Sequence, residues 1–158
     1  MIIVSDSGPL AYLVEIGVAD SLPTLYGQVY VPPTVISELR HEQSPVAVWA
    51  NEPPDWLTIA EPKSIPSDLM LDHGEREAIA LAVELDADYV LMDEKKGRTA
   101  ARARGLKVAG TLAVILDGAS QGTFDGLRAL ERLEQTNFYA SAELLQAVRA
   151  KLEERRLP

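Results

Sequence analysis

Short apolar runs alternate with helix-like segments along most of this chain of 158 residues. Residues 1–4 and 89–92 are apolar or aromatic at every position, which is typical of strands that are buried on both faces. Strands that alternate with helices predict a parallel sheet covered by helices on both sides. The sequence therefore predicts an α/β fold in a single domain over residues 1–158.

The pattern places five strands and a series of helices along this domain. The predicted strands are residues 2–5, 29–31, 57–60, 89–92 and 107–109. A helix is predicted after the first strand, and others at 34–41, 75–85, 94–104, 111–119, 124–135 and 141–155. Gly105 suits the end of the 94–104 helix, and Ser141 can cap the last helix. The final two helices are amphipathic, so they either close the core or bind a partner.

The composition excludes several classes of protein. The chain is 47% hydrophobic and 25% charged, as expected of a globular protein without unusual bias. No run approaches the roughly 18 apolar residues of a membrane span, and the N-terminus lacks the basic segment of a signal peptide. There is no cysteine, which excludes thiolate metal sites and agrees with a reducing compartment. We expect a cytoplasmic protein with no membrane association.

The net charge of −9 disfavours long-range attraction to nucleic acid. One segment departs from this balance, because it carries six basic residues and no acid. These residues are Lys95, Lys96, Arg98, Arg102, Arg104 and Lys107. A basic helix here either contacts a phosphate backbone or is an ordinary solvated surface. Of the six residues, Lys95, Lys96 and Arg98 are the candidate contacts to a phosphate backbone.

Four acids stand where a parallel sheet would bring them toward one edge. Asp6 and Asp93 directly follow apolar strands, and Glu38 and Glu75 lie on predicted helices. Ligands bind at the carboxyl ends of the strands in such sheets. If the strand order is 3-2-1-4-5, the first and fourth strands are neighbours. Carboxylates gathered without a cation repel one another, and a hard divalent ion relieves the repulsion. The pattern thus favours metal-dependent phosphodiester chemistry.

Each of these acids also has an ordinary structural interpretation. Asp6 could be a helix N-cap, and Glu38 could face solvent. Glu75 could be stabilised in the first turn of its helix by the helix dipole. Asp93 is the hardest to explain in this way, because acids at strand ends in such folds are often functional. Neighbouring acids could replace or assist the main four, namely Asp72, Glu77 and Glu94.

Other chemistries find less support in the sequence. There is no phosphate-binding loop and no dinucleotide-binding glycine motif. His41 and His73 are too few and too separated for an imidazole metal site, and we expect both to be exposed. No histidine is placed to activate Ser7 as a nucleophile. A phospho-receiver remains open, with Asp93 near a lysine, although the usual early pair of acids is missing.

The chain resembles a PIN domain, and more narrowly the bacterial and archaeal PIN group close to the VapC-type toxins. Five motifs carry the resemblance in order: VSDSGPL at 4–10, VPPTVISEL at 31–39, GEREAIALA at 74–82, DEKKGR at 93–98 and GLKVAGTL at 105–112. The likeness extends from residue 2 to about residue 120. At Leu91 and Lys95 the chain departs from many of these toxins, which carry Thr and Asp at the corresponding positions.

This resemblance implies a 3-2-1-4-5 parallel sheet and RNA cleavage that depends on Mg²⁺ or Mn²⁺. The four family acids fall on Asp6, Glu38, Glu75 and Asp93, which would be both catalytic residues and metal ligands. Ser7 matches the small polar residue beside the first acid. Toxins of this kind are held inactive by a cognate antitoxin protein and are usually homodimers. The expected function is therefore a toxin ribonuclease, and the alternative is a non-catalytic PIN-like module that binds RNA or a protein partner.

Overall fold

A five-stranded parallel sheet forms the centre of the protein. The computed structural model describes residues 1–156, with side chains to residue 155, so the last two residues of the predicted domain lie outside the described residues. The strands are β1 (Ile2–Ser5), β2 (Gln28–Val31), β3 (Leu57–Ile59), β4 (Tyr89–Leu91) and β5 (Val108–Ala109). Their order is β3-β2-β1-β4-β5, and every neighbouring pair is parallel. The predicted fold class and strand order are confirmed.

Nine α-helices surround the sheet in the described part of the chain. They are α1 (Ser7–Glu15), α2 (Leu22–Tyr26), α3 (Pro33–Arg40), α4 (Ala47–Asn51), α5 (His73–Glu84), α6 (Lys95–Ala103), α7 (Thr111–Ser120), α8 (Gly126–Glu134) and α9 (Ala142–Arg156). The predicted helices lie within two residues of these bounds, and the strands within one. The sequence pattern missed α2 and α4, because five residues are too few to show a helical stripe.

Two apolar layers hold the helices against the two faces of the sheet. Ile3 and Leu91 belong to the larger layer, whereas Val4 and Val90 belong to the layer on the other face, with Ile79 of α5. Alternate residues of β1 and β4 thus serve opposite layers, as the pleat requires. This arrangement explains why residues 2–4 and 89–91 are apolar or aromatic at every position.

The two C-terminal helices close the core. Leu130 and Leu133 of α8 are fully buried, and Leu152 of α9 is 2% exposed in the larger layer. The backbone N–H of Leu144 donates to Ser141 Oγ at 3.1 Å, which confirms Ser141 as the N-cap of α9. None of the helices in residues 1–156 is long and apolar enough to cross a membrane.

Candidate active site

The register of the sheet brings the ends of β1 and β4 together. Ser5 is paired with Leu91, and the backbone N–H of Asp6 donates to the Leu91 carbonyl at 2.9 Å. Asp6 and Asp93 therefore leave neighbouring strands at the same edge of the sheet. This is the edge where the reversal of strand order opens a crevice in folds of this kind.

Asp6 is a buried carboxylate in a crowded acidic environment. It occupies the N-cap position of α1, yet its side chain makes no capping hydrogen bond to that helix, so helix capping does not explain the residue. Burial raises the pKa of Asp6 to about 7, and repulsion from Asp72, Glu38 and Asp93 adds to the shift, although the nearby backbone N–H of Ser7 partly opposes it. The acids are close enough to influence each other's ionisation.

Glu38 reaches this cluster from α3. Its side chain is exposed, as the surface interpretation requires, but the Ser7 hydroxyl donates to Glu38 Oε2 at 2.6 Å. The carboxylate also lies against α5, because a Cβ on Gly74 would come within 2.5 Å of Glu38 Oε1. A glycine at the second position of α5 thus leaves the space that the Glu38 carboxylate occupies.

Glu75 enters the site from the first turn of α5 and is 8% exposed. Burial raises the pKa of Glu75 well above its usual range, and hydrogen bonding to Asp72 and repulsion from Asp72 and Asp6 add to the shift. Asp72 is the N-cap of α5, and its Oδ1 accepts from the Glu75 backbone N–H at 2.8 Å. Asp72, which the sequence indicates as an acid that could assist the main four, is therefore part of the cluster.

Asp93 is held by Thr111, a residue that sequence reasoning did not assign to the site. The Thr111 backbone N–H donates to Asp93 Oδ1 at 2.8 Å, and its hydroxyl donates to Asp93 Oδ2 at 2.7 Å. Thr111 itself is fully buried. The available signal was the Gly110-Thr111 pair directly after β5, which places a hydroxyl and a free helix N–H at the same sheet edge.

Within the described residues, no basic side chain forms an ion pair with these acids. The ion pairs within the described residues join Arg104 to Asp68 and Arg149 to Glu134. In the same part of the chain, no three histidine or acidic residues form a group that could hold a metal ion by themselves. Mg²⁺ commonly takes only one or two carboxylates, and water and substrate phosphate complete its shell. The all-oxygen donors and the uncompensated charge fit such an ion.

The basic segment is divided between different environments. Arg104 is paired with Asp68 at 2.9 Å, and Lys107 lies over the Tyr89 ring. Lys95 and Lys96 are exposed in the first turn of α6. Arg98 is half-buried near the acids: a Cβ on Gly110 would lie 2.9 Å from its Nη1 and 2.7 Å from Asp93 Oδ1. The expected exposure of both histidines is confirmed.

Comparison with known proteins agrees with this architecture. A family model described as PIN domain matches residues 2–154. The fold is similar to a solved PilT N-terminus domain protein from the hyperthermophilic archaeon Sulfolobus solfataricus P2, with a TM-score of 0.50 and 15% sequence identity over 89% of this chain and 98% of that chain. At this identity the likeness concerns the fold alone. The search of curated proteins found no match.

Proposed function

This chain belongs to the PIN-domain family, and from that premise we propose that it is a metal-dependent endoribonuclease that hydrolyses phosphodiester bonds of RNA. Members of the family are typically nucleases. One observation carries the proposal: Asp6 and Glu75, both buried, meet further carboxylates at one sheet edge without a basic partner among the described residues. Without a cation, ionised carboxylates gathered in this way repel one another and oppose folding. A divalent cation would relieve this repulsion.

Mg²⁺ or Mn²⁺ is the proposed cofactor, because hard divalent ions prefer oxygen ligands. Asp6 and Asp93 would hold it most directly, and Glu38 and Glu75 would complete the shell, partly through water. When bound, such an ion lowers the pKa of a water molecule and neutralises charge on the phosphate that is attacked.

The protein's own groups orient the acids for this task. Two hydrogen bonds from Thr111 fix the Asp93 carboxylate, and the Ser7 hydroxyl fixes one oxygen of Glu38. The raised pKa values of Asp6 and Glu75 mean that these groups hold protons near neutrality and release them when a cation binds.

The RNA backbone would be held from the side of α6. Lys95 and Lys96 are exposed in its first turn, directly after Asp93, and Arg98 lies on the next turn. Exposed ammonium groups can follow a phosphate backbone without a fixed geometry. We propose these three side chains, together with Ser7, as substrate contacts.

The toxin role is the finer part of the proposal. The motifs that resemble VapC-type toxins support a cytoplasmic homodimeric toxin that a cognate antitoxin protein keeps inactive. An antitoxin would have to prevent RNA from reaching the acidic edge of the sheet. Co-purification of the chain with the product of a neighbouring reading frame, and loss of cleavage on its addition, would test this role.

Cleavage of RNA by an Asp93→Asn variant tests the activity. We expect the wild-type protein to cut RNA with Mg²⁺ or Mn²⁺ and to stop when a chelator is added. Asp93→Asn should fold normally but lose cleavage, because the amide keeps the shape of the side chain and removes its charge. Asp55→Asn is the matched control, since Asp55 is exposed and outside the cluster. An Asp93→Asn variant that cuts with wild-type metal dependence contradicts the proposal.

A non-catalytic PIN-like module that binds RNA or a protein is the second candidate function. It is favoured by one observation, that no three potential ligands in residues 1–155 are gathered closely enough to hold an ion by themselves. The same assay separates the two functions. The second function predicts that wild-type protein binds RNA or a protein but leaves RNA intact at every concentration of Mg²⁺ and Mn²⁺.

A further inference from the structure

A groove of about 510 Å³ runs beside the acidic edge of the sheet. It lies between α7, α9 and the α8–α9 loop, and its walls are largely apolar, with Leu112, Leu116 and Leu144 among them. Asp93 and Gly110 are also part of its lining. The groove is therefore continuous with the candidate active site, although none of the roles assigned to the four acids uses it.

The α8–α9 loop presents a fixed aromatic residue at this groove. Phe138 packs edge-on against Tyr12, with ring centroids 5.2 Å apart, and the Tyr12 hydroxyl donates to Asn137 Oδ1 at 2.9 Å. The next residue, Tyr139, lines the groove and is 90% exposed. These two contacts with Tyr12 anchor Asn137 and Phe138, so the Tyr139 ring projects into solvent directly after a fixed part of the loop. A large exposed ring on a fixed loop is a common recognition feature.

Two basic residues complete the groove. Arg98 and Lys151 both line it, and neither takes part in the ion pairs that the described residues make. Cations left unpaired beside an apolar channel are notable in a chain with a net charge of −9. Their chemistry is complementary to phosphate.

We propose that this groove is a nucleobase subsite for the RNA strand, so the inference rests on the proposed function. A base of the strand stacks on Tyr139 in the mouth of the groove, and phosphates flanking that base contact Arg98 and Lys151. The strand then continues toward Asp93, where cleavage takes place. Only an unpaired base exposes the face that stacking requires, so the subsite binds unpaired segments of the substrate.

The charges favour RNA over a protein occupant. Arg98 and Lys151 give the groove two cations that complement phosphate, and Tyr139 and Asp93 lie in the same lining. Alternating aromatic and cationic contacts are the usual means of holding a single strand without reading its sequence. The wall shared with Asp93 gives this arrangement a purpose in positioning the scissile bond.

Binding of a fluorescently labelled, unstructured RNA oligonucleotide tests the proposal by anisotropy, in chelator so that the RNA stays intact. We expect Tyr139→Phe to bind like the wild type, because it keeps the ring. Tyr139→Leu should bind on the order of 10-fold more weakly, because it keeps an apolar side chain and loses the stacking face. Tyr139 is 90% exposed, so neither change disturbs the core.

Lys151→Ala supplies an independent measurement. Removing one phosphate contact should lower the slope of log Kd against log salt by about 0.7, the value for a single strand. Lys63→Ala is the matched control. Lys63 carries the same charge and is exposed, but it is not among the residues that line the groove. Its slope should equal that of the wild type.

The outcomes distinguish this inference from the proposed function. If Tyr139→Leu and Lys151→Ala bind RNA like the wild type while Asp93→Asn loses cleavage, the subsite is wrong and the nuclease stands. If the wild type neither binds nor cuts RNA, both are wrong. If Tyr139→Leu leaves RNA binding unchanged but alters the oligomeric state by light scattering, a second copy of the chain occupies the groove and the subsite is overturned.

Discussion

Asp6 and Asp93 show how one residue type meets two environments at the same sheet edge. Both oxygens of Asp93 accept hydrogen bonds from Thr111. Asp6 is 7% exposed, and burial together with neighbouring acids raises its pKa. In the metal-free protein the ionised Asp6 therefore opposes folding. Residues that oppose folding in this way are expected at functional sites, where stability is sacrificed for chemistry.

The first prediction concerns the stability of an Asp6→Asn variant in chelator. The native pKa of Asp6 is about 7 and its ordinary value is 3.8, so between these values the folded protein holds a proton that the unfolded chain has lost. Stability must then fall as pH rises from about 4 to about 7. The variant lacks this loss, and we expect it to exceed the wild type by about 2–4 kcal/mol at pH 8 and by little at pH 4.

Urea denaturation at both pH values measures this difference. Asp55→Asn serves as the control, because its exposed side chain should change stability equally little at pH 4 and pH 8. A gain for Asp6→Asn that is the same at both pH values would show that the carboxylate is not destabilised by ionisation. Deprotonation of Glu75 acts in the same direction in both proteins, since its pKa is also raised.

At this scale the sequence predicts the acidic residues that follow strands. It does not predict the residues that hydrogen-bond to those acids. Asp6 and Asp93 are visible because each ends an apolar run. Thr111 is not visible in that way, because its contact with Asp93 depends on the pairing of β4 with β5. A hydroxyl at a helix start has many other uses. Only the tertiary structure shows which acid it serves.

Helices α1 and α5 both have glycine as their second residue, and only the glycine of α5 lies against a carboxylate of the acidic cluster. Gly8 of α1 has open space where a Cβ would lie, whereas a Cβ on Gly74 of α5 would meet Glu38 Oε1 at 2.5 Å. The two positions are alike in helix geometry. They therefore form a natural pair for separating helix stability from the position of a carboxylate.

The second prediction is that Gly74→Ala lowers activity without lowering stability. Alanine restricts the unfolded chain and favours the helix, and the end of the Glu38 side chain can move aside. We expect thermal stability that is equal or slightly higher, together with a loss of cleavage on the order of 10-fold, as for groups that orient metal ligands. Rates of RNA cleavage and melting curves measure the two effects.

Gly8→Ala should show the same stability effect and wild-type cleavage. If Gly74→Ala also cuts like the wild type, the observed position of the Glu38 carboxylate is not required for activity. The comparison does not depend on how many ions bind.

The elements themselves were largely predictable. Short apolar runs predict the strands, and helical periodicity predicts the longer helices, within two residues of their bounds. The start of α5 is predicted at residue 75 rather than at His73, because Gly74 is interpreted as preceding the helix, whereas Asp72, three residues before Glu75, is the N-cap. The short helices α2 and α4 depend on packing that follows from the fold.

At the scale of the molecule, cation binding should stabilise the fold. The third prediction is that Mn²⁺ raises the melting temperature, by on the order of 5 °C when the ion is in about 100-fold excess over its Kd. The gain should be larger at pH 8 than at pH 6, because Asp6 and Glu75 must lose protons before they bind a cation. Differential scanning fluorimetry at the two pH values measures it.

Asp6→Asn provides the control for this titration. The variant should gain less from Mn²⁺ than the wild type, and its gain should depend less on pH. A gain that is identical in the two proteins would mean that the ion binds elsewhere on this acidic surface.

The strand order and the family were predictable from the whole sequence, because five motifs appear in order along it. The placement of the groove was not. Most of its lining comes from α7, α9 and the loop before α9, and periodicity alone leaves open whether the last helices close the core or bind a partner. The burial of Leu152 shows that α9 closes the core. Tyr139, in the loop before α9, is exposed and available for contact with a ligand.

The dispersal of the acidic edge along the chain has a consequence for synthesis. Its parts stand at Asp6, Glu38, Glu75 and Asp93, and the threonine that steadies the last of them is residue 111. A ribosome that is still making the first ninety residues carries only an incomplete set. A nuclease arranged in this way would be unable to cleave its own mRNA until most of the chain has been translated.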